Sequence, residues 1–177
     1  MKTFVFEKVV LIRPYVFALI GFFVIAPIVI AIITFLTASL PGMIGAVIVG
    51  LIIMFAILKS LSKTVEISFD ATHINFTYNG KTTQYLKSDL KGFYSFNYFH
   101  TSNCTISMRF DFSDGKKIDI SDYQGNAAKF NAEKHQMLKD FLSAAESELG
   151  FTDVSISKAR SLGKIGNVWF ARQLKTI

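Results

Sequence analysis

"VEISFDATHINFTYNGKTTQYL", residues 65–86, alternates apolar and polar side chains and then breaks at Asn79-Gly80. Val65, Ile67 and Phe69 share one face, and Ile74, Phe76 and Tyr78 repeat the pattern. A period of two belongs to half-buried strands. Asn-Gly accepts positive φ at both positions, so the stretch predicts a tight hairpin returning through "KTTQYL". Further on, "DLKGFYSFNYF" (89–99) reads as the next strand, and Ser113-Asp114-Gly115 joins "CTISMRFDF" (104–112) to "KKIDIS" (116–121). The expectation is about six antiparallel strands.

From Asn126 the period becomes helical. Phe130, Met137, Leu138, Phe141, Leu142, Ala145 and Leu149 fall on one stripe, with Glu133, Gln136, Asp140 and Ser147 facing away. Asn126 fits an N-cap and Gly150 the position past the end, which predicts a helix over 126–149. Such a helix and a curved sheet bury each other's apolar faces, so 63–150 is expected to be one antiparallel β domain closed by that helix.

Upstream, Pro14 to Leu58 contains no Asp, Glu, Lys, Arg or His. Spans of about 15–37 and 40–61, turning at Pro41-Gly42, each match a hydrocarbon core of about 30 Å at ~1.5 Å per residue. Gly42, Gly45, Ala46, Gly50 and Ala56 are small enough for close helix packing. Lys2, Lys8 and Arg13 precede this run, and Lys59 and Lys63 follow it. By the positive-inside rule, a stub (1–13), a two-helix transmembrane hairpin (14–62) and cytoplasmic termini are expected. A cleaved secretory signal ending near Thr37-Ala38-Ser39 is the competing reading; its usual apolar core of about 7–15 residues is far shorter.

Net charge is +6, with 51% hydrophobic residues and mean hydropathy +0.39. The charge sits at the ends: residues 1–63 and 151–177 each carry +4, and 64–150 carries −2. A nucleic-acid-binding fold concentrates basic charge on itself, so nucleic acid is not an expected partner. Cys104 is the single cysteine, which excludes an intrachain disulfide.

This layout resembles small bacterial membrane proteins with two transmembrane helices and a cytosolic pleckstrin-homology-like domain. The residues that carry the resemblance are "MKTFVFEK", the charge-free hairpin, "VEISFDATHINFTYNGKTTQYLKSDLKGF" and "RFDFSDGKKIDIS" before the long helix. It implies a small antiparallel barrel, of seven strands in the family, capped by one helix and held at the inner (plasma) membrane. Eukaryotic relatives bind phosphoinositides through basic residues on the first two strands. The matching "SFDATHINF" has no Lys or Arg, so that ligand is not expected.

No constellation for catalysis, cofactor or metal emerges. His100 and Cys104 lack further ligands at zinc spacing, and Asp111, Asp114, Asp119 and Asp122 lack a calcium-loop pattern. Two surfaces are candidates for contact. Lys59, Lys63, Lys158, Arg160, Lys164, Trp169, Phe170, Arg172 and Lys175 combine basic and aromatic groups suited to a lipid bilayer. Tyr94, Phe96 and Tyr98 would share one face of a strand and meet a protein partner. The expected function is a membrane-anchored, non-enzymatic binding or scaffold module with an unidentified protein partner. The alternative is an immunity protein that neutralises a toxin at the membrane. A lipid-acting enzyme ranks last, because only Thr34, Thr37 and Ser39 bring polarity near the turn.

Overall fold

The structure, a computed structural model, describes residues 2–11, 19, 23, 26–28, 30–31, 40–122, 130–154 and 167–172. In chain order the elements are β1 (Thr3–Val10), α1 (Leu40–Leu61), β2 (Lys63–Phe69), β3 (His73–Tyr78), β4 (Lys81–Leu86) and β5 (Leu90–Phe96). Then come β6 (Ser107–Phe112), β7 (Lys117–Asp122), α2 (Ala132–Leu149), β8 (Phe151–Val154) and β9 (Asn167–Arg172). The strands form one antiparallel sheet in the order β4-β3-β2-β1-β7-β6-β5-β9-β8.

This corrects the expected architecture of a transmembrane helical hairpin followed by a small separate barrel. The segment read as an N-terminal stub is β1, in the middle of the sheet. It pairs with β2 from Thr3 to Val9 and with β7 at Val9 and Val10. A register shift between Phe6 and Val9, with Lys8 at φ 55°, lets one strand serve both neighbours. The C-terminal stretch 151–177, which carries +4, supplies β8 and β9.

The membrane placement is corrected as well. The second expected span coincides with α1, and the first, 15–37, lies largely outside the described residues. Among the described residues no helix is long and apolar enough to cross a membrane. Multi-pass location in an inner membrane rested on two such helices, so it loses its basis, as do the orientation of the termini and the assignment as an integral membrane protein.

The hairpin at Asn79-Gly80 lies where the alternation put it, with φ of 50° and 70° at the two turn residues. Both are left-handed, the geometry whose twist matches the flanking strands. Gly115, at φ 84°, turns β6 into β7.

Helix α2 begins at Ala132 rather than Asn126. Asn131 is the cap, its side-chain oxygen accepting from the Lys134 N–H at 2.8 Å. Phe130 precedes the cap and is exposed, so it does not belong to the buried stripe. Gly150 ends the helix at φ 64°, its N–H donating to Glu146 O at 2.9 Å. The helix seats Phe141 at the centre of the core, with ring centroids 5.4 Å from Phe4, 5.3 Å from Phe6, 6.1 Å from Phe69 and 6.0 Å from Phe93. Those rings come from β1, β2 and β5, so one side chain ties both halves of the sheet together. A fully buried Phe contributes about 1.5–3 kcal/mol through burial alone.

Candidate functional site

Of the nine residues expected at a lipid surface, five lie among the described residues. Lys158, Arg160, Lys164 and Lys175 lie outside the described residues. Lys59 is exposed near the end of α1, and Lys63 holds its ammonium 5.9 Å from the Tyr78 ring. Phe170 is fully buried, stacked on Phe93 at 5.0 Å. Trp169 is half-buried, 4.4 Å from the Tyr94 ring across the β5–β9 ladder. Arg172 fastens elements: its guanidinium donates to Leu149 O at 3.3 Å and to Lys87 O at 2.7 Å.

Tyr94, Phe96 and Tyr98 are not brought onto one face. The strand stops at Phe96, and Tyr98 turns into the core, where its hydroxyl donates to Thr105 O at 2.9 Å. Burial raises the Tyr98 phenol above its ordinary range. Tyr94 lies against Trp169. Gly92 permits that packing, because a Cβ there would run into the indole ring and the Phe170 carbonyl oxygen.

The acidic residues of the β6–β7 hairpin are held separately. Asp111 accepts from Arg109 at 2.7 Å, and Asp114 pairs with Lys116 at 3.2 Å. Buried Asp122 accepts from Lys134 at 2.8 Å and from the Ile106 N–H at 2.7 Å, which fixes α2 to β7. Asp70 caps the β2–β3 turn by accepting the His73 and Thr72 N–H groups, and these two bonds lower its pKa. Among the described residues no group of three or more His, Cys, Asp or Glu is placed to hold a metal ion.

The feature that gathers chemistry is the β4 end of the sheet. Every residue of β4 except half-buried Tyr85 is exposed, and among the described residues no strand lies on its outer side. Tyr78 and Lys81 flank the two-residue turn and form a hydrogen-bonded pair. The alternation of an antiparallel ladder then makes Phe76–Thr83 and Ile74–Tyr85 the next bonded pairs. The main-chain groups of Thr82, Gln84 and Leu86 consequently face away from β3. The 2.8 Å contact between Thr77 Oγ1 and Thr82 Oγ1 fits a close, non-bonded pair.

Beside this edge a cleft of about 210 Å³ opens between the β2–β4 strands and β7. Phe76, Tyr78 and Tyr85 give it aromatic walls, and Thr83, Lys117 and Asp119 give it polar groups. Tyr85 stacks on Phe112 at 4.3 Å and carries the Lys116 ammonium 5.7 Å from its ring centroid. In the sequence Phe76 and Tyr78 stand out only as strand positions and Asp119 only as one of an acidic group, and nothing there joins them into a cleft. The available signal was the composition of "KTTQYL", which is too polar for a strand covered on both faces. Comparison with protein-family models, curated proteins and solved structures finds no match for this chain.

Proposed function

We propose that this protein is a non-enzymatic recognition module that takes up an extended segment of a partner protein along β4. The supporting observation is the outer edge of β4, where Thr82, Gln84 and Leu86 direct main-chain donors and acceptors away from β3. Proteins usually shield such edges with proline, bulges, inward charges or a covering element, because an open row of donors and acceptors templates another strand. No proline or bulge interrupts the β3–β4 ladder, which runs in continuous register from Tyr78–Lys81 to His73–Leu86. Strand addition draws affinity from main-chain bonds and specificity from alternate side chains.

Selection of binders from a displayed library of random twelve-residue peptides, followed by amide hydrogen exchange, tests this reading. A selected peptide should slow exchange at Thr82, Gln84 and Leu86. Gln84→Pro removes an outward donor without touching a β3–β4 bond, and it should weaken the same peptide at least tenfold. Peptides that bind Gln84→Pro equally well and leave those three amides unprotected would overturn it.

A further inference from the structure

The chemistry around the open edge points to a class of partner, an inference that rests on the strand-addition reading. Lys117 lines the cleft, and three more lysines stand beside its aromatic walls. Lys63 stands over Tyr78, Lys81 begins β4 opposite Tyr78, Lys116 stands over Tyr85, and Lys117 lines the opening. They come from β2, β4, the β6–β7 turn and β7, so the cluster is assembled by the fold. The carboxylates nearby are fewer. Asp119 lines the cleft, Asp114 is engaged by Lys116, and Asp111 is turned to Arg109. The local balance is positive, although residues 64–150 as a whole are negative.

Size narrows the occupant further. Small-molecule and cofactor pockets usually measure about 300–1,000 Å³. A cleft of about 210 Å³ is smaller and has room for one large side chain. Its aromatic walls favour an apolar one. An added strand runs about 4.8 Å from β4, and every second side chain of it lies on the face of Thr83 and Tyr85, above the cleft. Its neighbours on that face come within reach of the lysine rim.

We propose that the β4 edge and its cleft bind an extended acidic peptide. Its backbone extends the sheet, one aromatic or large aliphatic side chain enters between Tyr78 and Tyr85, and flanking carboxylates meet Lys81, Lys116 and Lys117. The contacts are charge-assisted hydrogen bonds at an exposed rim, so affinity falls as salt rises.

The test uses the full chain and a fluorescent ten-residue peptide that alternates Glu with Thr and carries one central Phe. It is compared with the same peptide bearing Lys for Glu, and with vesicles of phosphatidylcholine containing phosphatidylserine. The acidic peptide should bind. Lys117→Glu and Lys116→Glu should each weaken it at least fivefold, Gln84→Pro at least tenfold, and the Lys peptide should show no saturable binding. Both lysines are exposed, and unchanged thermal unfolding of the variants separates lost recognition from lost fold. Binding that responds to Gln84→Pro but not to either lysine reversal or to the peptide's charge overturns the acidic preference and leaves strand addition standing. Binding that responds to the lysines and not to Gln84→Pro retains the anionic ligand and overturns strand addition. Saturable binding of the anionic vesicles, unaffected by Gln84→Pro and without binding of the acidic peptide, overturns both in favour of a lipid surface.

Discussion

At β8 the sheet ends tied to helix α2 and the core, whereas at β4 it ends in a row of exposed residues. Helix α2 runs directly into β8 through Gly150, Phe151 is buried against Phe93, and Arg172 of β9 bonds Leu149 O and Lys87 O. β4 has exposed side chains along almost its whole length and an aromatic cleft on its inner face. Both are terminal strands of one antiparallel sheet. The difference teaches that the two ends are anchored unequally: Phe151 and Arg172 tie one end to the core and to α2, and β4 is joined to the sheet through β3 with Tyr85 as its only half-buried residue.

The largest way to break this contrast is to loosen the anchored end. Phe170→Ala removes a fully buried ring stacked on Phe93, with an expected cost of about 3–5 kcal/mol, read by urea denaturation. A cost below about 1 kcal/mol would mean that β9 is not integral to the core. Gly92→Ala attacks the same end from β5. The new methyl meets Trp169 and the Phe170 carbonyl oxygen, and the strain should cost about 1–3 kcal/mol. Relief of the ring clash alone, through a second change of Trp169→Ala, should restore only part of it, because the backbone oxygen stays.

Arg172→Ala removes two donors to backbone carbonyls and should cost about 1–2 kcal/mol, with faster exchange in β8 and β9 than in β3 and β4. Equal acceleration at both ends would erase the contrast. The smallest effects are titrations. The Asp70 carboxyl has its pKa lowered by backbone donors, so it favours folding above the ordinary value of about 3.9 and loses that contribution as pH falls through the folded pKa. Carboxyl NMR should place its midpoint below that of an unstructured Asp, and Asp70→Asn should flatten the acid limb. Tyr98 has the opposite sense. Its raised pKa favours folding below about pH 10, and the contribution is lost as pH rises from there toward the folded pKa. Tyr98→Phe should leave stability less sensitive to alkali, read as the slope of unfolding free energy against pH.

The strands from Lys63 to Asp122 were legible because their pattern is local. Alternation, Asn79-Gly80 and Ser113-Asp114-Gly115 each act within a few residues. β1 carried the same signal, with Phe4 and Phe6 buried and Val5 and Glu7 exposed. Its partners, however, lie beyond the long charge-free run, so proximity in sequence associated it with that run. β9 failed for a similar reason: the basic residues before it outweighed the short alternation of Val168, Phe170 and their neighbours. The aromatic alternation runs on through Tyr98, but β5 ends at Phe96 and Tyr98 is buried. The cleft is a product of topology. Lys63, Lys81, Lys116 and Lys117 are scattered in sequence, and only the approach of β2–β4 to β7 gathers them. The open edge depends on which strand lacks a neighbour, a property no single segment encodes.

β1 ends at Val10 and β2 begins at Lys63, which lies opposite Val9. The two points of attachment of the segment between them are therefore adjacent, and any tension on that segment reaches the sheet at one end of the β1–β2 ladder. Such a load acts as on a zipper, separating one pair at a time, rather than shearing the whole ladder together. Separation starts where Val10 and Val9 meet Ser121, Asp122 and Lys63, and it meets the irregularity at Lys8 before it reaches the unbroken register from Phe6 to Thr3. The bulge thus stands as a mechanical break between the inserted segment and the part of β1 whose rings pack on Phe141.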